Sequence, residues 1–244
     1  MADGVAGNLH AVRGRIEAAA RRAGRAPESV TLVGVSKTMP AGRVREAVVA
    51  GLLDLGENKV QEARDKIDPV GPGPRWHLVG HLQGNKANQA ARIFDVVHSI
   101  DSVELLERLE RGALAAGRKI RGLVQADLAG EATKSGAPPG AIDAILERAA
   151  GCAAVEVRGL MILPPHEDDP ERSRPWFRRL RELNETLARR HARLTLSELS
   201  MGMTGDFEVA IEEGATLVRV GRALFGDRTA PPASAAGART GEAS

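Results

Sequence analysis

The chain has 244 residues, enough for one large domain, and its 43% hydrophobic share suits a packed core. A net charge of only +2, with four Phe, two Trp and no Tyr, argues against a nucleic-acid surface or a base-stacking platform. The single cysteine, Cys152, cannot close an internal disulfide. The first seven residues form no basic or apolar leader, and no stretch nears the roughly 18 apolar residues of a membrane span, so a soluble cytoplasmic protein is expected.

In chain order, a helical pattern over about 5–24 comes first. The run Val30-Thr31-Leu32-Val33-Gly34-Val35-Ser36 then predicts a buried strand over 30–37, ending in Lys37. Helix-like stretches at about 41–51, 58–67, 83–92, 102–117, 138–150, 170–192 and 205–213 alternate with short runs rich in Val, Ile and Leu at 54–57, 76–82, 95–100, 121–127, 157–163, 195–201 and 217–221. Eight strands alternating with helices predict parallel pairing. The length suits a single (β/α)8 TIM barrel with an extra N-terminal helix. A doubly wound open sheet is the rival, but it would carry a glycine-rich turn after its first strand, where this chain has Ser36-Lys37-Thr38-Met39-Pro40. One domain over 1–228 is expected, followed by a disordered tail over 229–244 rich in Ala, Pro, Gly and Ser.

Chemistry in such barrels gathers at the C-terminal ends of the strands. Lys37 stands there, at the parity of Val33 and Val35, which points it to the interior. Only six of the 34 basic residues are lysine. An amine held here suggests a group that can lose its proton and attack a carbonyl, which guanidinium cannot do. A lysine that merely caps the strand and faces water is the other reading. Strand seven ends in Leu199-Ser200-Met201-Gly202-Met203-Thr204-Gly205, and strand eight in Val218-Arg219-Val220-Gly221-Arg222. Ser200 offers a hydroxyl, and Gly202 and Gly221 let a ligand approach backbone amides. A helix start near Gly205-Asp206 favours anions. Glycines that serve turn geometry alone remain open. Opposite a strand-end lysine, these loops read as a phosphate cradle, which suits pyridoxal phosphate and also a phosphosugar aldolase. Arg219, at the parity of Leu217 and Gly221, points inward, where it can face a pyridine nitrogen or pair with a carboxylate.

Several motifs in order carry a specific likeness: Val35-Ser36-Lys37, Gly56-Glu57-Asn58 with Gln61-Glu62, Trp76-His77 through Gly80-His81-Leu82-Gln83, and Asn85-Lys86. Gly159-Leu160-Met161, Leu199 to Met203 and Val218-Arg219-Val220-Gly221 complete the set, which spreads up to Arg228. On these the chain resembles the pyridoxal phosphate homeostasis protein family, similar to the N-terminal barrel of bacterial alanine racemase and of eukaryotic ornithine decarboxylase. The resemblance implies pyridoxal 5'-phosphate held as a Schiff base on Lys37. It implies Ser200, Gly221 and Arg222 at the phosphate, Arg222 mainly through backbone, Arg219 at the ring nitrogen, and Asn58 and Met161 lining the pocket. Departures from the family pattern are Thr204 for a frequent Ser, Arg222 for a small hydroxyl residue and Ile162 for a frequent Thr.

Two features bear on catalysis. Racemases of this barrel type use a lysine and a tyrosine, and this chain has no tyrosine. An arginine at the ring nitrogen disfavours ring protonation and weakens the electron sink. A carrier in intracellular cofactor homeostasis is therefore expected, a monomer that passes the cofactor to apo-enzymes that depend on it. A low-activity amino-acid racemase or a Schiff-base aldolase, with Glu57 or Glu198 as acid/base, is the alternative. His77 and His81 would lie about 13 Å apart on a continuous strand, too far to share one metal. Cys152 reads as packing, Lys59 as a solvent-facing lysine, the arginine-rich block 172–193 as an amphipathic helix, and 164–170 as a connecting loop.

Overall fold

The pleat of each strand sends alternate side chains to opposite faces, and here one set fills a lumen while the other meets the helices. The computed structural model describes residues 4–130 and 135–226, so the boundary at 228 and the tail over 229–244 lie outside the described residues. Its elements run α1 (Val5–Arg22), β1 (Thr31–Val35), α2 (Ala41–Val49), β2 (Asp54–Glu57), α3 (Val60–Val70), β3 (Arg75–Leu78), α4 (Ala87–Ile93), β4 (Val96–Ile100), α5 (Val103–Ala115), β5 (Ile120–Gln125), α6 (Pro139–Ala149), β6 (Val155–Met161), α7 (Arg174–Arg190), β7 (Glu198–Ser200), α8 (Phe207–Glu212), β8 (Leu217–Val220) and α9 (Arg222–Phe225). The strands form a closed barrel in sequence order, all parallel, with β8 pairing back onto β1. That closure excludes the open-sheet rival.

Two apolar layers follow from the alternation. Val33, Val79, Leu123, Met161 and Leu217 pack together inside the barrel, with Val35 and Leu163 against them. A larger layer between strands and helices includes Leu55, Leu78, Val97, Val124, Leu160 and Val218. The N-terminal helix α1 buries Val5, Leu9, Val12, Ile16, Ala19 and Ala20, a spacing that lays one apolar stripe against the barrel. The arginine-rich block forms α7, which buries Phe177, Leu180 and Leu187 and turns Arg174 and Arg178 to Glu212 and Glu213 at 2.7 and 2.9 Å. No described helix is long and apolar enough to cross a membrane.

Several boundaries differ from the pattern. The first strand stops at Val35, two residues before Lys37, and β3 stops at Leu78 rather than 82. Beyond it, Gly80 lies so close to Asn58 that a Cβ would sit 2.3 Å from the Asn58 carbonyl oxygen. The short α9 after β8 has no apolar periodicity that sequence reading could find. In β6, the register against β5 skips Arg158, and the next residue, Gly159, has φ +155°. A Cβ there would meet the Glu198 carbonyl oxygen at 1.8 Å, so only glycine lets β6 close onto β7. Gly159→Ala is expected to lower stability by about 3 kcal/mol. A thermal melt should show it as a drop of roughly 6–12 °C.

Candidate functional site

The C-terminal rim of β1 is fixed from outside the barrel. The Ser36 amide donates to the Gly56 carbonyl at 2.9 Å, continuing the ladder. Its hydroxyl donates to Glu57 Oε1 at 2.6 Å. Lys66 of α3 donates from Nζ to that same carboxylate oxygen and to the Ser36 carbonyl, both at 2.7 Å. Burial pushes the Glu57 carboxyl up, against the pull of Lys66 and Ser36. With Ser36 turned outward, the alternation places Lys37 on the lumen side of the rim, where it is half-buried. Among the described residues nothing hydrogen-bonds or ion-pairs with its amine. The next residue, Thr38, is the one described non-glycine residue with positive φ, at 64°. A β-branched residue in that region carries strain, here beside the lysine.

The loops after β7 and β8 adjoin this rim. Gly202 has φ +90°, and a Cβ would lie 2.6 Å from the Ala210 Cβ and 2.8 Å from the Phe207 Cα, so the chain hugs the start of α8. The Gly202 carbonyl accepts from the Arg219 amide at 3.0 Å, which ties the two loops together. Gly221 passes close to β1: a Cβ there would sit 3.2 Å from the Val35 carbonyl oxygen. The backbone N–H groups of Thr204, Gly205, Gly221, Arg222 and Ala223 donate to no described residue. Two adjacent loops thus present unpaired donors of the kind that cradle an anion. Since β7, β8 and β1 are consecutive, the cradle is the lysine's neighbour. The expectation that it lies opposite fails because β8 closes the barrel against β1.

Beneath the rim, a line of polar side chains crosses the lumen. Arg219 Nη1 donates to Ser200 Oγ at 2.5 Å and Nη2 to the Ile162 carbonyl at 2.8 Å. Ser200 Oγ lies 2.8 Å from His98 Nδ1, His98 Nε2 lies 2.9 Å from His77 Nδ1, and His77 Nε2 lies 2.9 Å from Asp54 Oδ1. Arg75 closes the line by donating to both Asp54 oxygens at 2.8 Å. Burial pushes Arg219 down to about 10. Burial, then the neighbouring His77 and Arg219, push His98 well below its usual 6.5. The sign for stability follows. Above about pH 6.5, His98 is neutral in both states; below it, the unfolded histidine takes up a proton that the folded one refuses. Stability is therefore present above that value and lost as pH falls toward the folded pKa. Urea unfolding at pH 7.5 and 5.5 should show a loss of about 1 kcal/mol from this group, absent in His98→Gln.

The expected site residues fall into two sets. Lys37, Gly202, Gly221 and Arg222 lie on one arc of the rim, Arg222 exposed; Asn58 follows β2, half-buried, and Met161 is buried in the lumen. Arg219 is interior as expected, but it pairs with no carboxylate among the described residues. Ser200 has a different surrounding from the one expected: its hydroxyl is taken by His98 and Arg219, so it supports the arginine from below instead of offering a free donor to phosphate. Neither aldolase carboxylate reaches the mouth: Glu57 is held outside the barrel by Lys66, and Glu198 lies at the opposite end, 3.5 Å from Arg121. Two cavities of about 610 and 250 Å³ also open at that end, lined by strand starts. His77 sits in the lumen, and His81 lies at the rim 3.6 Å from Asp101. Lys59 is exposed, and Cys152 packs half-buried against the helix layer. Sequence reading missed Asp54, His98 and Lys66; for the first two the clue available was a polar residue at lumen parity within an apolar strand, and for Lys66, on α3, there was none.

Comparison with known proteins bears on the family and the fold. The profile described as alanine racemase, N-terminal domain, matches residues 7–229. The chain is 42% identical to a pyridoxal phosphate homeostasis protein of Pseudomonas aeruginosa over 92% of this chain and 96% of that one. With the protein of the same name from Escherichia coli it shares 39% over 92% and 97%. PipY of Synechococcus elongatus, solved with PLP bound, superposes with a TM-score of 0.81 at 38% identity, covering 91% of this chain and all of PipY. An alanine racemase of Clostridium difficile shares the fold, with a TM-score of 0.67 at 14% identity over 93% of this chain and 57% of the racemase.

Proposed function

The chain belongs to the pyridoxal phosphate homeostasis protein family, whose barrel is that of the alanine racemase N-terminal domain, and from that premise we propose that it binds pyridoxal phosphate covalently through Lys37 and holds it for delivery, with little or no catalysis. When bound, the cofactor supplies an electrophilic aldehyde, a neighbouring phosphate arm and a ring nitrogen across the ring from the aldehyde. The observation that carries the reading is one arc of rim in which, among the described residues, a half-buried Lys37 amine without a partner adjoins two loops of unpaired backbone donors, with Arg219 below. That order matches the order of groups on the cofactor.

Each residue then has a task. The Lys37 amine takes the aldehyde. The amides of Gly221 and Arg222, with the loop opened by Gly202, take the phosphate. Arg219 donates to the ring nitrogen and, being a cation, keeps it unprotonated, which leaves the ring a weak electron sink. Ser200 acts through Arg219. Asn58 and Met161 line the pocket. No tyrosine exists to serve as a second base. The carrier works as a monomer and hands its cargo to apo-enzymes that need it.

The test is a visible spectrum of purified protein with added cofactor, then borohydride reduction and peptide mapping. A visible band and a label on Lys37 are expected. A label on another lysine, or racemisation or decarboxylation of amino acids at ordinary enzymatic rates, would overturn the reading.

A further inference from the structure

Arg219 can only donate hydrogen bonds, and ionised Asp54 can only accept them. With both imidazoles neutral, every hydrogen in the lumen chain between these two ends has one possible place. Asp54 accepts from Arg75 and from His77 Nε2–H, so His77 Nδ1 must accept. His98 Nε2–H therefore donates to it, leaving His98 Nδ1 to accept the Ser200 hydroxyl hydrogen. Ser200 Oγ is then free to accept from Arg219. Two neutral imidazoles, each with its hydrogen on Nε2, satisfy all five residues. A further hydrogen on either ring would leave His98 Nδ1–H donating to Ser200 Oγ and the hydroxyl hydrogen without an acceptor in the chain.

We infer that Asp54, His77, His98 and Ser200 are positioning residues, a one-way hydrogen-bond relay that aims the Arg219 guanidinium at the cofactor ring. The inference rests on the reading of the rim as a pyridoxal phosphate site. The relay is buried through its middle, with His98 and Ser200 fully inaccessible, so water cannot replace a lost member. Its lower end opens to the cavity of about 250 Å³ lined by Asp54, Arg75 and His77. Arg219 spends Nη1 and Nη2 hydrogens on Ser200, the last residue of β7, and on the carbonyl of Ile162, the first residue after β6. Without Ser200, one anchor remains and the guanidinium can swing.

The test has two arms on the full chain. In the first, wild type, Ser200→Ala, His98→Leu and His98→Gln are loaded with pyridoxal phosphate. All should take the borohydride label at Lys37. Ser200→Ala and His98→Leu should shift the visible band and release the cofactor about tenfold faster, the loss of one charge-assisted hydrogen bond. His98→Gln, which keeps a donor and an acceptor, should lie nearer wild type. Wild-type band and release rate in Ser200→Ala, or equal defects in His98→Gln and His98→Leu, would overturn the relay. In the second arm, nitrogen-15 NMR of the cofactor-free protein at pH 7.5 should find both rings neutral with hydrogen on Nε2. A charged ring or a hydrogen on Nδ1 would overturn it, even should His98→Leu fail to fold. Failure of wild type to label at Lys37 would instead sink the cofactor reading, while the NMR arm still decides the relay.

Discussion

Lys37→Ala protein mixed with pyridoxal phosphate and reduced with borohydride is expected to gain no mass, while wild type gains one cofactor. The effect is all-or-none because no other described lysine occupies the rim beside the unpaired loop donors: Lys59, Lys86 and Lys119 are exposed at helix or strand starts, and Lys66 is committed to Glu57. Lys37→Arg should fail equally, since guanidinium keeps its charge and does not attack carbonyls. Neither change should alter folding much. The amine holds no described hydrogen bond or ion pair, so unfolding midpoints should correspond to stabilities within about 0.5 kcal/mol of wild type. A Lys37→Ala protein that still took a stoichiometric label would place the attachment elsewhere.

Lys66→Met should be the most damaging single change near the rim. The lysine and Glu57 are both buried, and the ammonium also holds the Ser36 carbonyl at 2.7 Å. Methionine fills the volume but removes the cation from a buried carboxylate, which keeps only the Ser36 hydroxyl, and leaves the Ser36 carbonyl only the Met39 amide. One Glu57 oxygen, Oε2, already has no partner, so the site holds no spare donor to compensate. Removing one member of a buried pair costs about 3–5 kcal/mol, and a thermal melt should fall by roughly 6–20 °C. Ser36 precedes Lys37, so the freed rim should also weaken labelling at subsaturating cofactor. Lys66→Met combined with Glu57→Leu, which removes both charges, should recover most of the lost stability. A double variant no better than Lys66→Met would show that the pair is not the cause.

Much of this protein could be read from its order of residues. The alternation of Val-, Ile- and Leu-rich runs with helical stretches predicted eight parallel strands, and Lys37, Arg219, Gly202 and Gly221 stood out because strand ends and parity are local properties. Boundaries moved where neighbours from elsewhere in the chain intervened, as at Gly80 against Asn58 and at the Gly159 bulge against Glu198. Lys66 looked like one more charge on a helix. Nothing local says that its amine turns inward to a carboxylate nine residues earlier.

The sequence by itself determined which groups the chain carries: an amine just past the first strand, glycines after the last two, an arginine at inward parity, and no tyrosine. Closure of the barrel decided how those groups stand to one another. It brought β8 against β1, so the loop donors flank the lysine instead of facing it. It also set His98 against Ser200, 102 residues apart, turning four polar side chains into one line under Arg219. The reason is geometric: which side chains meet across a lumen depends on strand tilt and stagger around the whole barrel, a property that no single strand contains.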